Sequence, residues 1–259
     1  MLSLGQASRA ADVGGHALPA AWPSLTGRGI EIRSSELTVI AGAPASGKSS
    51  FALATAYRMG VPTLYICADT AAWTVTLRAI AMVTGLHQYQ VEERLLADPH
   101  SCDGALEDLK KIKWCFEPSP SLDDIDQEVA AYEEVFGRNP ELIVVDNAID
   151  VADGPDEWQS LRQTMRELKY LAADSGAAVI VLHHVTEAIH VPEGQAPPRY
   201  SILGKDTRLP SLVLTLTNQE GWIGCAVVKS RYSESDPQGK NPLWWSFDGS
   251  RMRLVEVEQ

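Results

Sequence analysis

The chain carries Gly42-Ala43-Pro44-Ala45-Ser46-Gly47-Lys48-Ser49, a Gly-x4-Gly-Lys-Ser spacing, with Ser50 directly after it. An apolar run from Leu37 to Ala41 precedes it and a helix-like segment from Lys48 to Met59 follows. A glycine-bearing loop between a strand and a helix N-terminus turns several backbone N–H groups toward one point, and that point binds phosphate. Lys48 would then reach the β- and γ-phosphates of ATP, while the Ser49 hydroxyl offers Mg²⁺ a small oxygen ligand. The expected cofactors are ATP and Mg²⁺, with Gly42 through Ser50 as the binding stretch.

A second requirement of such a site is a carboxylate at the end of another buried strand, and Leu142-Ile143-Val144-Val145-Asp146 supplies one. Asp146 is the expected metal-orienting group beside Ser49. Hydrolysis also needs a carboxylate that positions or deprotonates water. The residue after Asp146 is Asn147, so the candidate is Asp69, at the end of the run from Thr63 to Ala68. A cap for the helix expected from Ala71 is the competing role for Asp69. A nuclease reading of Asp146, Asp150, Asp153 and Asp156 matches no defensible metal spacing, and solvated loop carboxylates are the expectation there.

These groups need a scaffold, and the pattern from Glu36 onward alternates short β-branched runs with helical ones. Strands are expected at Leu37 to Ala41, Thr63 to Ala68, Ile112 to Phe116, Leu142 to Asp146 and Ala178 to His183. Helices are expected at Lys48 to Met59, Ala71 to Thr84, Leu122 to Phe136 and Glu157 to Asp174, the last with Leu161, Met165, Leu168 and Leu171 at helical spacing. Such alternation specifies an α/β fold: a mostly parallel central sheet flanked by helices. After an irregular stretch at 185–200 come four runs joined by turns, Leu212 to Thr217, Trp222 to Lys229, Leu243 to Phe247 and Met252 to Val257. They are expected to extend the same sheet in antiparallel fashion, because roughly 50 residues make a marginal separate core. Residues 1–30 are expected to form an arm packed on the core or on a neighbouring subunit, and residues 31–259 the ATPase domain.

At 259 residues and 45% hydrophobic content the chain can bury one large core. The formal net charge of -12 excludes a surface that coats nucleic acid broadly, so any such site must be local. Cys67, Cys102, Cys115 and Cys225 are too scattered for metal chemistry and fit a reducing compartment. No apolar run reaches the about 18 to 20 residues a membrane helix needs, so a cytoplasmic protein without a membrane partner is expected.

Taken together, the residues resemble the RecA-like ATPase core of the DnaB family of ring helicases, from about Glu36 to Phe247. ELTVIAGAPASGKSSFALATA is similar to that family's phosphate loop, and LYICADT with LRAIAMVTG to its second strand and helix. There the family carries a catalytic Glu where this chain has Asp69. PELIVVDNAIDV is similar to the metal-binding strand. AAVIVLHHVTE is similar to the strand whose terminal residue senses the γ-phosphate, which puts His184 in the sensor position and leaves His183 as a core imidazole. Ala226-Val227-Val228-Lys229-Ser230-Arg231 resembles the strand ending in Lys-x-Arg, which implies that Lys229 and Arg231 reach the γ-phosphate of an adjacent subunit.

The resemblance further implies a homo-oligomeric ring, expected to be a hexamer, with active sites shared between subunits. It implies single-stranded DNA as partner through the stretch Val185 to Tyr200, with His190, Arg199 and Tyr200 and the nearby Lys205 and Arg208. That stretch is poor in basic groups, and a solvated loop is the alternative. A stand-alone motor core without a primase-interacting domain, from a phage or plasmid, is the expectation. Two other readings stay open: a filament-forming RecA-type recombination ATPase, and a regulatory ATPase switch that binds a protein partner and no DNA.

Overall fold

The computed structural model describes residues 15–151, 157–186, 189–204 and 207–257, with backbone alone at 157 and 158. The strands are β1 (Leu37–Gly42), β2 (Thr63–Cys67), β3 (Ile112–Cys115), β4 (Leu142–Asp146), β5 (Ala178–His184), β6 (Leu212–Gln219), β7 (Trp222–Ser230), β8 (Leu243–Asp248) and β9 (Arg253–Glu256). They form one sheet in the order β3-β2-β4-β5-β1-β6-β7-β8-β9. From β3 to β6 every pairing is parallel, and β6 through β9 pair antiparallel. The expected extension is therefore part of the same sheet, with β6 joining β1 in parallel and the antiparallel pairing beginning at β7.

Each central strand is apolar on both faces because helices cover both. Along β4, Leu142 and Val144 enter one core while Ile143 and Val145 enter the other, and β5 divides in the same way. The first face receives α1 (Pro23–Gly27), α2 (Lys48–Met59) and α3 (Ala72–Thr84). The second receives α6 (Leu122–Phe136), α7 (Ala148–Val151) and α8 (Glu157–Ser175), where Leu161, Met165 and Leu168 are buried at the predicted spacing. Between α3 and β3 lie α4 (Gln88–Ala97) and α5 (Asp103–Asp108), which the sequence pattern did not announce.

The described part of the N-terminal arm packs on the core of its own chain. Trp22 stacks on Phe51 of α2 with ring centroids 5.2 Å apart, and both meet Trp245 of β8 edge-on. Each such aromatic contact adds about 0.5–1.5 kcal/mol beyond area burial. Trp22 Nε1 donates to Thr55 Oγ1 at 2.8 Å, so the indole is satisfied while buried. Residues 1–14 lie outside the described residues. All four cysteines are free and buried.

Candidate functional site: a phosphate cradle at the carboxyl edge of the sheet

Parallel register brings the chemistry to one edge. Gly42 at the end of β1 pairs with His184 of β5 on one side and Leu216 of β6 on the other. Cys67 of β2 pairs with Asp146 of β4, and Ala68 N–H continues the pairing to the Asp146 carbonyl at 2.9 Å. The carboxyl ends of β1, β2, β4 and β5 thus carry the phosphate loop, Asp69, Asp146 and His184, at the edge where open α/β sheets bind ligands.

The loop geometry needs its two glycines. A Cβ at Gly42 would sit 2.3 Å from Ser46 Oγ, and Gly47 combines φ +87° with a Cβ position 2.4 Å from Ile223 Cδ1. Gly47 immediately precedes α2 as its N-cap. Pro44 and Ala45 are exposed, and Ala45 holds φ 60°. Ser46 Oγ is buried without a hydrogen-bond partner among the described residues, a donor left for a ligand oxygen. Lys48 Nζ folds back onto the carbonyls of Gly42 at 3.0 Å and Ala43 at 2.9 Å. Burial lowers its pKa, while the negative charges of Asp146 and Asp69 act in the opposite sense. Ser50 turns its hydroxyl to Met252 Sδ at 3.6 Å, away from the loop.

Asp146 is buried at the end of β4. Burial pushes its carboxyl up to about 6, and the nearby Asp69 pushes in the same direction; hydrogen bonds from Ser49 and Tyr65 and the charge of Lys48 pull the other way. The Tyr65 phenol donates to Asp146 Oδ2 at 3.2 Å. Two oxygen groups, Ser49 and Asp146, are therefore already joined where a divalent cation needs hard ligands. Asp69 is exposed and accepts from Thr70 Oγ1 at 2.8 Å. It caps no helix, since α3 begins after Ala71 without a side-chain cap. Asp150, expected as a solvated loop carboxylate, instead sits half-buried on α7 with Oδ2 unpartnered among the described residues, its pKa raised by burial and by Asp69. Asp153 and Asp156 lie outside the described residues.

The two histidines part company. His183 is buried, with Nε2 at 2.9 Å from the Leu203 carbonyl, and burial lowers its pKa to about 4. His184 is half-buried at the strand end beside Gly42.

Lys229 and Arg231 stand elsewhere. Lys229 pairs with Val213, and Ser230 with Leu212, at the start of β6, whereas the phosphate loop faces Leu216 further along. Arg231 N–H continues this pairing to the Ser211 carbonyl at 2.9 Å. Both basic groups therefore lie at the amino edge of the parallel strands, on the order of 13 Å from their own phosphate loop at about 3.3 Å per residue. Lys229 Nζ donates to the carbonyls of Thr207 at 2.6 Å, Arg208 at 2.9 Å and Pro210 at 2.5 Å.

Beyond β5 the chain returns to the carboxyl edge, where Val185 bridges Ile202. A cavity of about 300 Å³ opens between the phosphate loop and this segment, lined in part by Ser46, Thr186, Ile189 and Asn218. Arg199, Tyr200 and His190 are exposed, as is Arg208; Lys205 lies outside the described residues. The sequence reading passed over Tyr65 and Asn218, whose Nδ2 donates to the Ala45 carbonyl at 3.4 Å. A tyrosine inside the otherwise apolar LYIC run was the available signal for the first; the second had none.

The model of the DnaB-like helicase C terminal domain matches residues 26–203. The Gene 65 protein of Mycobacterium phage L5 is 32% identical over 252 residues, covering 93% of this chain and 93% of its own. The Gene 65 protein of Mycobacterium phage D29 is 33% identical over 233 residues, covering 86% of this chain and 100% of its own. Among solved structures, a DnaB-like replicative helicase described with its interactions with primase aligns at TM-score 0.80 and 15% identity over 96% of this chain, which spans 64% of that one. A second solved structure, described as an ATPase domain, aligns at TM-score 0.80 and 15% identity over 97% of this chain and 95% of its own. At that identity the two structures speak for the fold alone, a mostly parallel sheet flanked by helices with antiparallel C-terminal strands. The family match over residues 26–203 carries the rest: this chain belongs to the DnaB-like helicase C terminal domain family.

Proposed function

We propose that this protein is an ATP-hydrolysing motor that works as a hexameric ring and moves on single-stranded DNA during replication or recombination of a phage genome in its bacterial host. The observation that carries the reading is the separation of the two halves of the site. Phosphate-binding, metal-binding and water-positioning candidates share one edge of the sheet, and Arg231 stands at the other, out of reach of its own loop. A nucleotide-site arginine in that place has work to do only on a neighbour.

In this reading Lys48 leaves the Gly42 and Ala43 carbonyls for the β- and γ-phosphates, and Ser46 Oγ, without a partner among the described residues, donates to a phosphate oxygen. Ser49 and Asp146 would hold Mg²⁺, which would supply positive charge against the phosphates. Asp69 orients the attacking water, and its exposure leaves it free to turn. His184, beside Gly42, follows the state of the γ-phosphate. Arg231 of the adjacent subunit stabilises charge on the transferred γ-phosphoryl group, where trans fingers contribute ~10³-fold or more. Lys229, tied to three carbonyls, braces the segment from which Arg231 projects.

Mixing Arg231→Ala with Lys48→Ala chains tests the shared site, after assembly and subunit exchange are verified. Some boundaries then pair an intact loop with an intact finger, so ATPase should exceed the sum of the separate activities. A curve that never rises above that sum rules the reading out. Electron microscopy with and without single-stranded DNA separates rings from the two rivals: filaments mean a recombination-type ATPase, and DNA-indifferent particles mean a partner-binding switch, which the charge of -12 would suit.

A further inference from the structure

Glu36 lies immediately before β1, at the amino edge, half-buried. Its backbone is fixed, since its carbonyl accepts from Val179 N–H at 3.0 Å. Its side chain is fixed too, because Oε1 accepts the Tyr232 phenol at 2.8 Å and the Tyr232 ring carries the Arg33 guanidinium 4.6 Å from its centroid. The remaining oxygen, Oε2, stands 3.8 Å from Arg231 Nη1, while Arg231 Nη2 donates to the Leu209 carbonyl at 3.3 Å. Arg231 keeps 40% of its side chain exposed, against 18% for Glu36. A carboxylate anchored on one side thus holds an exposed guanidinium on the other.

An exposed ion pair at this distance adds little to stability. It does remove rotamer freedom from a long side chain before docking, and prepaid orientation of a charge-stabilising group appears in turnover. We propose that Glu36 is a positioning residue for Arg231: with Tyr232 it sets the direction in which the guanidinium leaves its own subunit toward the neighbour's nucleotide. The inference rests on Arg231 acting in trans. Glu36 touches no nucleotide in its own subunit, so its effect belongs in kcat and leaves ATP binding alone.

The test is steady-state ATPase of the assembled full chain with saturating single-stranded DNA. Glu36→Gln keeps the shape and an acceptor for Tyr232 but removes the charge; kcat should fall on the order of tenfold with KM for ATP within about twofold. Tyr232→Phe should show a smaller fall of the same kind, and the double variant should be no worse than Glu36→Gln alone, because the two act as one unit. Mixed assemblies locate the effect. Glu36→Gln with Lys48→Ala should exceed the sum of its parts, and Glu36→Gln with Arg231→Ala should not, since both lack a working finger.

Wild-type kcat in Glu36→Gln overturns the inference, as does a changed KM with unchanged kcat. If Arg231→Ala with Lys48→Ala rescues but Glu36→Gln with Lys48→Ala does not, Glu36 is a structural residue and the shared site stands. If neither pair rescues, the trans reading falls and the inference with it. Should Glu36→Gln fail to fold, Tyr232→Phe decides the matter: reduced kcat at constant KM upholds the positioning role, and full turnover ends it.

Discussion

The Tyr65 phenol donates a hydrogen bond to Asp146 Oδ2 across the β2–β4 pairing, 3.2 Å away and wholly inside the protein. This bond favours the carboxylate, yet burial outweighs it and raises Asp146 from 3.8 to about 6. A cation ligand must be ionised, so protons compete with Mg²⁺ as pH falls through about 6. The Mg²⁺ concentration for half-maximal ATPase should rise below that pH. Tyr65→Phe deletes the bond and keeps the ring, so the rise should begin at higher pH; an unmoved midpoint would deny the bond its role.

Asp146 and His183 should also shape stability in opposite directions. Asp146, raised to about 6, contributes stability that is fully present below its unfolded value of 3.8 and lost as pH climbs through about 6. His183, lowered from 6.5 to about 4, contributes stability present above 6.5 and lost as pH drops through about 4. In nucleotide-free protein the two slopes oppose each other over nearly the same window. Asp146→Asn removes the first, so urea midpoints of the variant should exceed wild type above pH 6 and decline more steeply in acid. Parallel curves for the two proteins would contradict this assignment.

Lys48→Ala takes away a buried ammonium that donates to the two loop carbonyls of Gly42 and Ala43. The fold should survive, with a thermal midpoint close to wild type. Nucleotide affinity, read with a fluorescent ATP analogue, should fall about 30-fold or more, the loss of a charge-assisted contact of about 2 kcal/mol. Retained affinity would move the phosphate site elsewhere.

Asp69→Asn should spare binding and depress turnover by about 100-fold or more, because the amide keeps the shape but cannot take a proton. Since Asp69 caps no helix, stability should not change. Turnover within about threefold of wild type, under about 1 kcal/mol, would leave Asp69 without a catalytic part.

Charge reversal at Arg199, Lys205 and Arg208 should weaken single-strand binding and flatten its salt dependence, as fewer phosphate contacts release fewer counterions. Anisotropy titrations at several salt concentrations give both quantities. Equal slopes in variant and wild type would exclude the 185–208 region as the DNA contact.

The phosphate loop, the Asp146 strand and the alternation of five parallel strands with their helices were legible in the sequence, because each depends on spacing within a short segment. Gly42, Gly47 and Lys48 need only their own strand, turn and helix to be recognised. The short helices α4 and α5 escaped because QYQVEERLLA and DGALED bury little of their own surface and take their place from α3. What no local pattern could state is which strand ends meet. The order β3-β2-β4-β5-β1-β6 brings residues as distant in sequence as Gly42 and His184 side by side. The antiparallel return of β7 carries Lys229 and Arg231 to the far edge, where Glu36 stands at the start of β1. Sequence determined the chemistry each segment can do. The sheet register, set by long-range hydrogen bonding and burial on two faces, decided which groups share the carboxyl edge and which stand at the amino edge.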